Sequence, residues 1–129
     1  MNKFLLDTSA WLEYAYGTFE GEKVRKIFSD RESEILTFSF VVGELVSKLS
    51  RDGIDPEEVF SEVSLCSHVA EIDLNLVKDA GKFHAEMRKK ISNFSLVDAY
   101  VWIIAKRTGA TIVTKDTHFK EYKPVILLK

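Results

Sequence analysis

Four carboxylates, Asp7, Glu44, Asp98 and Asp116, stand where this chain can do chemistry with them. Asp7 ends the apolar run Phe4-Leu5-Leu6, Asp116 closes the run Thr111 to Thr114, and Asp98 opens the apolar stretch Ala99 to Ala105. Glu44 lies in a helical pattern among Val41, Val42, Leu45 and Val46. Each has an ordinary explanation on its own. A strand-end aspartate commonly caps the next helix in solvent, which would account for Asp7 and Asp116. Glu44 precedes Lys48 by one turn, the order of an exposed helix ion pair, and Ser95 with Asp98 spells a capping box. Asp98 is harder to dismiss, because a carboxylate in apolar surroundings needs a donor or a cation. Together the four can share one sheet edge. Their mutual repulsion is then relieved by a hard divalent cation, Mg²⁺ or Mn²⁺, which prefers oxygen ligands and keeps several waters. A cation so held polarises a phosphodiester and lowers the pKa of a bound water. Hydrolysis of a nucleic-acid backbone is the natural reaction, and it needs no serine or cysteine nucleophile.

The elements that must position these acids follow from the patterning. Lys3 to Leu6 reads as a buried parallel strand whose C-terminal edge opens onto a helix, the place where open α/β sheets hold ligands. Thr8 or Ser9 is expected to cap that helix, which runs to Tyr16 before Gly17. A helix with Val24, Ile27 and Phe28 on its apolar face, a strand at Glu34 to Thr37 and a helix with Val42, Leu45, Val46 and Leu49 inward come next. Asp55-Pro56-Glu57-Glu58 signals another helix start, with Asp55 as cap and Glu58 reaching back. A weak strand near His68 to Ile72 precedes a helix capped by Asp73, with Leu76, Ala80, Phe83 and Met87 as its buried stripe. Ser95 then begins a helix that is apolar almost all round and stops at Gly109. Thr111 to Thr114 and Pro124 to Leu128 supply the last strands, with a short helix at Thr117 to Tyr122 between them. Alternation of strand and helix implies an α/β fold, a parallel or mostly parallel sheet with helices on both faces.

Bulk properties narrow the partners. The 129 residues are read as one domain, 1–129, of ordinary globular composition. A single cysteine, Cys66, excludes an intrachain disulfide. No stretch has the form of a signal peptide or membrane span, so the expected location is cytoplasmic, away from membranes. A formal net charge of −2 gives no global attraction to polyanions, so nucleic acid would need a local basic patch or a bound cation.

Leu6-Asp7-Thr8-Ser9-Ala10-Trp11, Glu44 after Val41-Val42-Gly43, Ser95-Leu96-Val97-Asp98-Ala99 and Thr114-Lys115-Asp116-Thr117-His118-Phe119 resemble, in order and spacing, the motifs of the PIN domain. The resemblance covers nearly the whole chain and is strongest to the single-domain VapC-type ribonuclease toxins. It implies a PIN-like three-layer α/β/α sandwich with a five-stranded parallel sheet of order 3-2-1-4-5. It also implies Mg²⁺- or Mn²⁺-dependent endoribonuclease activity, an RNA substrate, a homodimer and a cognate antitoxin of a type II toxin-antitoxin pair. By the same resemblance Asp7, Glu44, Asp98 and Asp116 are the catalytic metal-binding acids, supported by hydrogen bonds from Thr8, Ser9 and Thr114. Many relatives carry a further acid shortly after the last one. This chain has Thr117 and His118 there, which leaves occupancy of a second metal site open.

Among the remaining residues, His84 reads as a packed, hydrogen-bonded histidine and His68 as a strand residue without a nearby partner. His118 is close enough to Asp116 to touch substrate or metal. Arg88-Lys89-Lys90 is a solvated helix end that can also form a phosphate-gripping rim with Lys115 and Lys48. An aspartyl-phosphate phosphatase would want an acid at position 9, where Ser9 stands. The main competing reading is a non-catalytic PIN-fold module that binds RNA or protein without cutting.

Overall fold

The computed structural model describes residues 2–129. Its elements run β1 (Asn2–Leu6), α1 (Thr8–Tyr16), α2 (Phe19–Ser29), β2 (Ser33–Phe38), α3 (Ser39–Arg51), α4 (Glu57–Cys66), β3 (His68–Ala70), α5 (Leu74–Arg88), α6 (Leu96–Thr108), β4 (Thr111–Thr114), a 3₁₀ turn (Thr117–Phe119) and β5 (Val125–Leu127). All strand pairs are parallel, in the expected order β3-β2-β1-β4-β5. The strand with the most apolar ending, β1, therefore lies at the centre. Leu5 pairs with Leu36 on one side and Ile112 on the other, and Leu6 pairs with Val113. Leu5, Leu6, Ile112 and Val113 are wholly buried, as continuous apolar strands covered on both faces must be. The chain leaves β1 toward β2 on one side and returns on the other through β4. Their shared C-terminal edge is the crevice that such a strand order opens.

The helices close around this edge for local reasons. Gly21 is required where α2 crosses α1, because a Cβ there would stand 2.1 Å from the Glu13 carbonyl oxygen. The buried Trp11 indole donates to Thr37 Oγ1 at 3.1 Å, and Thr37 in turn donates to Ser67 Oγ at 3.0 Å, so no polar atom of that trio is stranded in the core. Helix α6 starts with the expected capping box, Ser95 and Asp98 each bonding the other's amide at 3.0 Å, and stops at left-handed Gly109.

Several local expectations differ from the outcome. The cap of α1 is Asp7, not Thr8 or Ser9, since its carboxylate reaches the Ala10 amide while both hydroxyls are engaged elsewhere. At α4 the cap position is Pro56, with no side-chain cap bond; Asp55 instead takes the Glu57 amide at 3.1 Å. The inward stripe of α3 is Val41, Leu45 and Leu49, with Val42 and Val46 only half-buried. That repeat of four turns Glu44, Ser47, Lys48 and Arg51 toward the crevice, the i, i+3, i+4, i+7 face of one helix. Beyond β4 the short helix shrinks to the 3₁₀ turn Thr117–Phe119, anchored by wholly buried Phe119.

Candidate metal centre

At the C-terminal edge of β1 and β4 lies a cavity of about 750 Å³ whose walls include Asp7, Glu44, Asp98 and Asp116. Four elements supply them: the turn after β1, helix α3, the first turn of α6 and the turn after β4. The acids that are distant in sequence thus face one space.

Asp7 is the floor. It is only 8% exposed. Its Oδ1 accepts from Ser9 Oγ at 2.7 Å and from the Ala10 amide at 3.1 Å, and its Oδ2 accepts from the Thr114 hydroxyl. Burial pushes its pKa up to about 6, against the lowering effect of the Thr114, Ser9 and Ala10 hydrogen bonds, and the charge of Asp116 adds to the rise. Thr114 ties the floor to the rim, because its hydroxyl oxygen also accepts the Asp116 amide at 2.9 Å. Ser9 makes a second tie by accepting the Lys115 amide at 2.8 Å. These bonds hold β4 and β1 in one register at the point where the carboxylates emerge.

Asp98, Asp116 and His118 form the outer rim, with side chains 16%, 34% and 18% exposed. One ligand atom from each lies within 4.8 Å of the others. Asp98, at the first turn of α6, is largely but not fully buried, and the most deeply buried acid of the four is Asp7. Glu44 also lines the cavity, exposed, and accepts the Thr8 hydroxyl at 2.6 Å. The ion pair expected between Glu44 and Lys48 is not made: Lys48 bonds Asp52 at 3.3 Å, one turn further on.

The donor set suits a hard divalent cation. It is rich in carboxylate oxygen, and the acid at its floor has been taken out of water with hydroxyls and an amide as its partners. Asp98, Asp116 and His118 bring ligand atoms within 4.8 Å of one another, and Asp7 and Glu44 line the same cavity.

Of the substrate-contact candidates singled out, Lys48 and His118 line the cavity. Arg88, Lys89 and Lys115 do not. Arg88 ends α5, Lys89 pairs with Glu86 at 3.2 Å, and the Lys115 ammonium is taken by Glu13 of α1 at 3.1 Å. His84 is the packed histidine expected, with Nε2 3.0 Å from the Phe94 carbonyl. Ser47, Arg51 and Asn93 are polar lining residues that the sequence reading did not single out. Ser47 and Arg51 were legible in principle, three and seven positions beyond Glu44 on one helical face. Asn93 carried no signal, because it sits in an irregular turn that reaches the site only through tertiary packing.

Comparison with known proteins agrees with this architecture. The family model of the PIN domain matches residues 4–124. Ribonuclease VapC11 of Mycobacterium tuberculosis is 28% identical over 117 residues, which are 89% of this chain and 87% of that protein. The crystal structure of Mycobacterium tuberculosis VapC20, a sarcin-ricin loop cleaving toxin, superimposes with a TM-score of 0.79 at 18% identity, covering 98% of this chain and 99% of that one. A toxin-antitoxin complex from Klebsiella pneumoniae gives a TM-score of 0.72 at 13% identity, covering 95% and 94%. Among the described residues no helix is long and apolar enough to cross a membrane.

Proposed function

The chain belongs to the PIN domain family, and from that premise we propose that it is a divalent-metal-dependent endoribonuclease, the toxin of a toxin-antitoxin pair. The observation that carries this reading is the convergence of Asp7, Glu44, Asp98 and Asp116 on one cavity at the β1/β4 edge, with Asp7 buried and braced by Ser9 and Thr114. Ribonuclease activity is supported by the likeness to VapC11, and an antitoxin partner by the likeness to the Klebsiella complex.

Bound there, Mg²⁺ or Mn²⁺ would supply charge to the phosphodiester oxygens and a more acidic water. The chain's own part is to fix the geometry. Asp7 holds the floor of the site, with one oxygen on Ser9 and the Ala10 amide and the other on Thr114. Thr8 orients Glu44. Asp98 and Asp116 face the open side, where the scissile phosphate enters. Lys48 and Arg51, one turn apart on α3, line the same cavity and offer positive charge to the neighbouring phosphates of a single strand.

The test is cleavage of a panel of RNAs with Mn²⁺ by wild type and by Asp7→Asn. Loss of a buried ligand that stabilises several kcal/mol of transition-state charge is expected to slow cleavage by about a thousandfold. Equal cleavage by the two proteins, or none by either, overturns the nuclease reading in favour of an RNA- or protein-binding module. A small protein encoded beside this chain that abolishes cleavage on mixing would support the toxin assignment.

A further inference from the structure

The rim contains a group that the carboxylate reading does not use. His118 turns its Nδ1 toward both acids, 3.0 Å from Asp98 Oδ2 and 3.3 Å from Asp116 Oδ2. Its other nitrogen, Nε2, lies 3.0 Å from Asn93 Oδ1. An amide oxygen only accepts, so the Nε2–H donates to it, and Nδ1 is the ring atom turned toward the two carboxylates. One ring nitrogen and two carboxylates thus converge, their ligand atoms all within 4.8 Å of one another. Histidines that bind metals characteristically spend their second N–H on a carbonyl in this way, which fixes tautomer and ring plane. The spacing fits as well. Around an octahedral cation with ligands at about 2.1 Å, adjacent ligand atoms stand about 3 Å apart. The ring is further held by Phe94, whose centroid lies 6.0 Å away, and by its own backbone amide, which donates to Asp116 Oδ1 at 2.8 Å and leaves Oδ2 for the cavity.

We propose that His118 Nδ1 is a direct metal ligand beside Asp98 and Asp116, with Asn93 as its positioning residue, and that this mixed nitrogen and oxygen set favours transition cations such as Mn²⁺ or Co²⁺ over Mg²⁺. The proposal rests on the metal-dependent reading above. Imidazole nitrogen suits first-row transition ions, whereas Mg²⁺ is served by carboxylate, carbonyl and water.

The experiment is equilibrium binding of Mn²⁺, Co²⁺ and Mg²⁺ to the metal-free protein, without RNA. Wild type, His118→Ala, Asn93→Leu and Asp7→Asn are compared, each checked for folding by circular dichroism. His118→Ala is expected to weaken Mn²⁺ and Co²⁺ by at least about tenfold and Mg²⁺ far less, shifting the Co²⁺ d–d bands; Asn93→Leu should move the same way by about tenfold. Wild type loaded with Co²⁺ should show one exchangeable, contact-shifted imidazole N–H resonance, a readout that needs no variant. If Asp7→Asn weakens binding but His118→Ala binds all three ions as wild type does, and no shifted N–H is seen, the histidine assignment is overturned and the carboxylate site stands. If wild type binds none of the ions, the metal-dependent reading itself fails.

Discussion

The floor and the rim of the cavity are both acidic, yet they are built oppositely. Asp7 is buried, over-determined by two hydroxyls and a backbone amide, and has its pKa pushed up to about 6. Asp98 and Asp116 are only partly buried and face an imidazole. Burial at the floor fixes position at the expense of charge, while the rim acids lie nearer to solvent and to whatever enters the cavity. The difference teaches where precision comes from in this fold: the central strands dictate the floor, and the chain between α5 and α6 together with the turn after β4 assembles the rim.

The comparison breaks first on stability against pH. The folded pKa of Asp7 lies above its ordinary value of 3.8, so the native state holds that proton more tightly than the unfolded chain. Stability from this group is present at low pH and lost as pH rises from about 4 through about 6. A shift of that size corresponds to on the order of 3 kcal/mol. In metal-free protein, urea denaturation at pH 4 and pH 8 should therefore show Asp7→Asn gaining about that much on wild type, and saturating Mn²⁺ should shrink the gap. Parallel pH profiles for the two proteins would mean that the floor is not under this strain.

Next in size are the hydroxyls. Thr114→Val removes a donor to Asp7 and an acceptor for the Asp116 amide, so metal affinity or cleavage should fall about 10- to 100-fold. Thr8→Val touches only exposed Glu44 and should cost less, about tenfold at most. If Thr8→Val is the more damaging, the α3 wall, and not the floor, carries the precision. The smallest effect concerns phosphate grip. Lys48→Ala with Arg51→Ala should flatten the logarithmic salt dependence of RNA binding by about 0.7 for each phosphate no longer neutralised, while the Arg88→Ala and Lys89→Ala pair keeps the wild-type slope. Identical slopes for all would remove α3 from the RNA path.

Much of the floor was legible in sequence. An apolar run cut short by Asp-Thr-Ser can only be a strand emerging at an edge, and Ser95 with Asp98 had to be a helix start. The strand order came from resemblance alone, because alternation of strand and helix leaves the order of a parallel sheet open. What misled was local reasoning applied where tertiary contacts decide. Thr8 and Ser9 are good caps by type, but Asp7 displaces them because Glu44 and Thr114 occupy their hydroxyls from elsewhere in the chain. Asp98 sits in an apolar helix yet at its open end, where neighbours in sequence say little about water. His118 and Asn93, 25 positions apart, meet only because Phe94 and Phe119 pack together beneath them.

One detail of the rim gives it a built-in reporter. A single oxygen, Asp98 Oδ2, accepts the Ser95 amide and lies 3.0 Å from His118 Nδ1. Whatever draws electron density from that oxygen in the cavity also loosens the first turn of α6. Amide exchange at Ser95 should thus register occupancy at a distance from any ligand signal. A substitution of Asp98 will fray a helix as well as empty a site, and lost turnover at this position has to be read with both in mind.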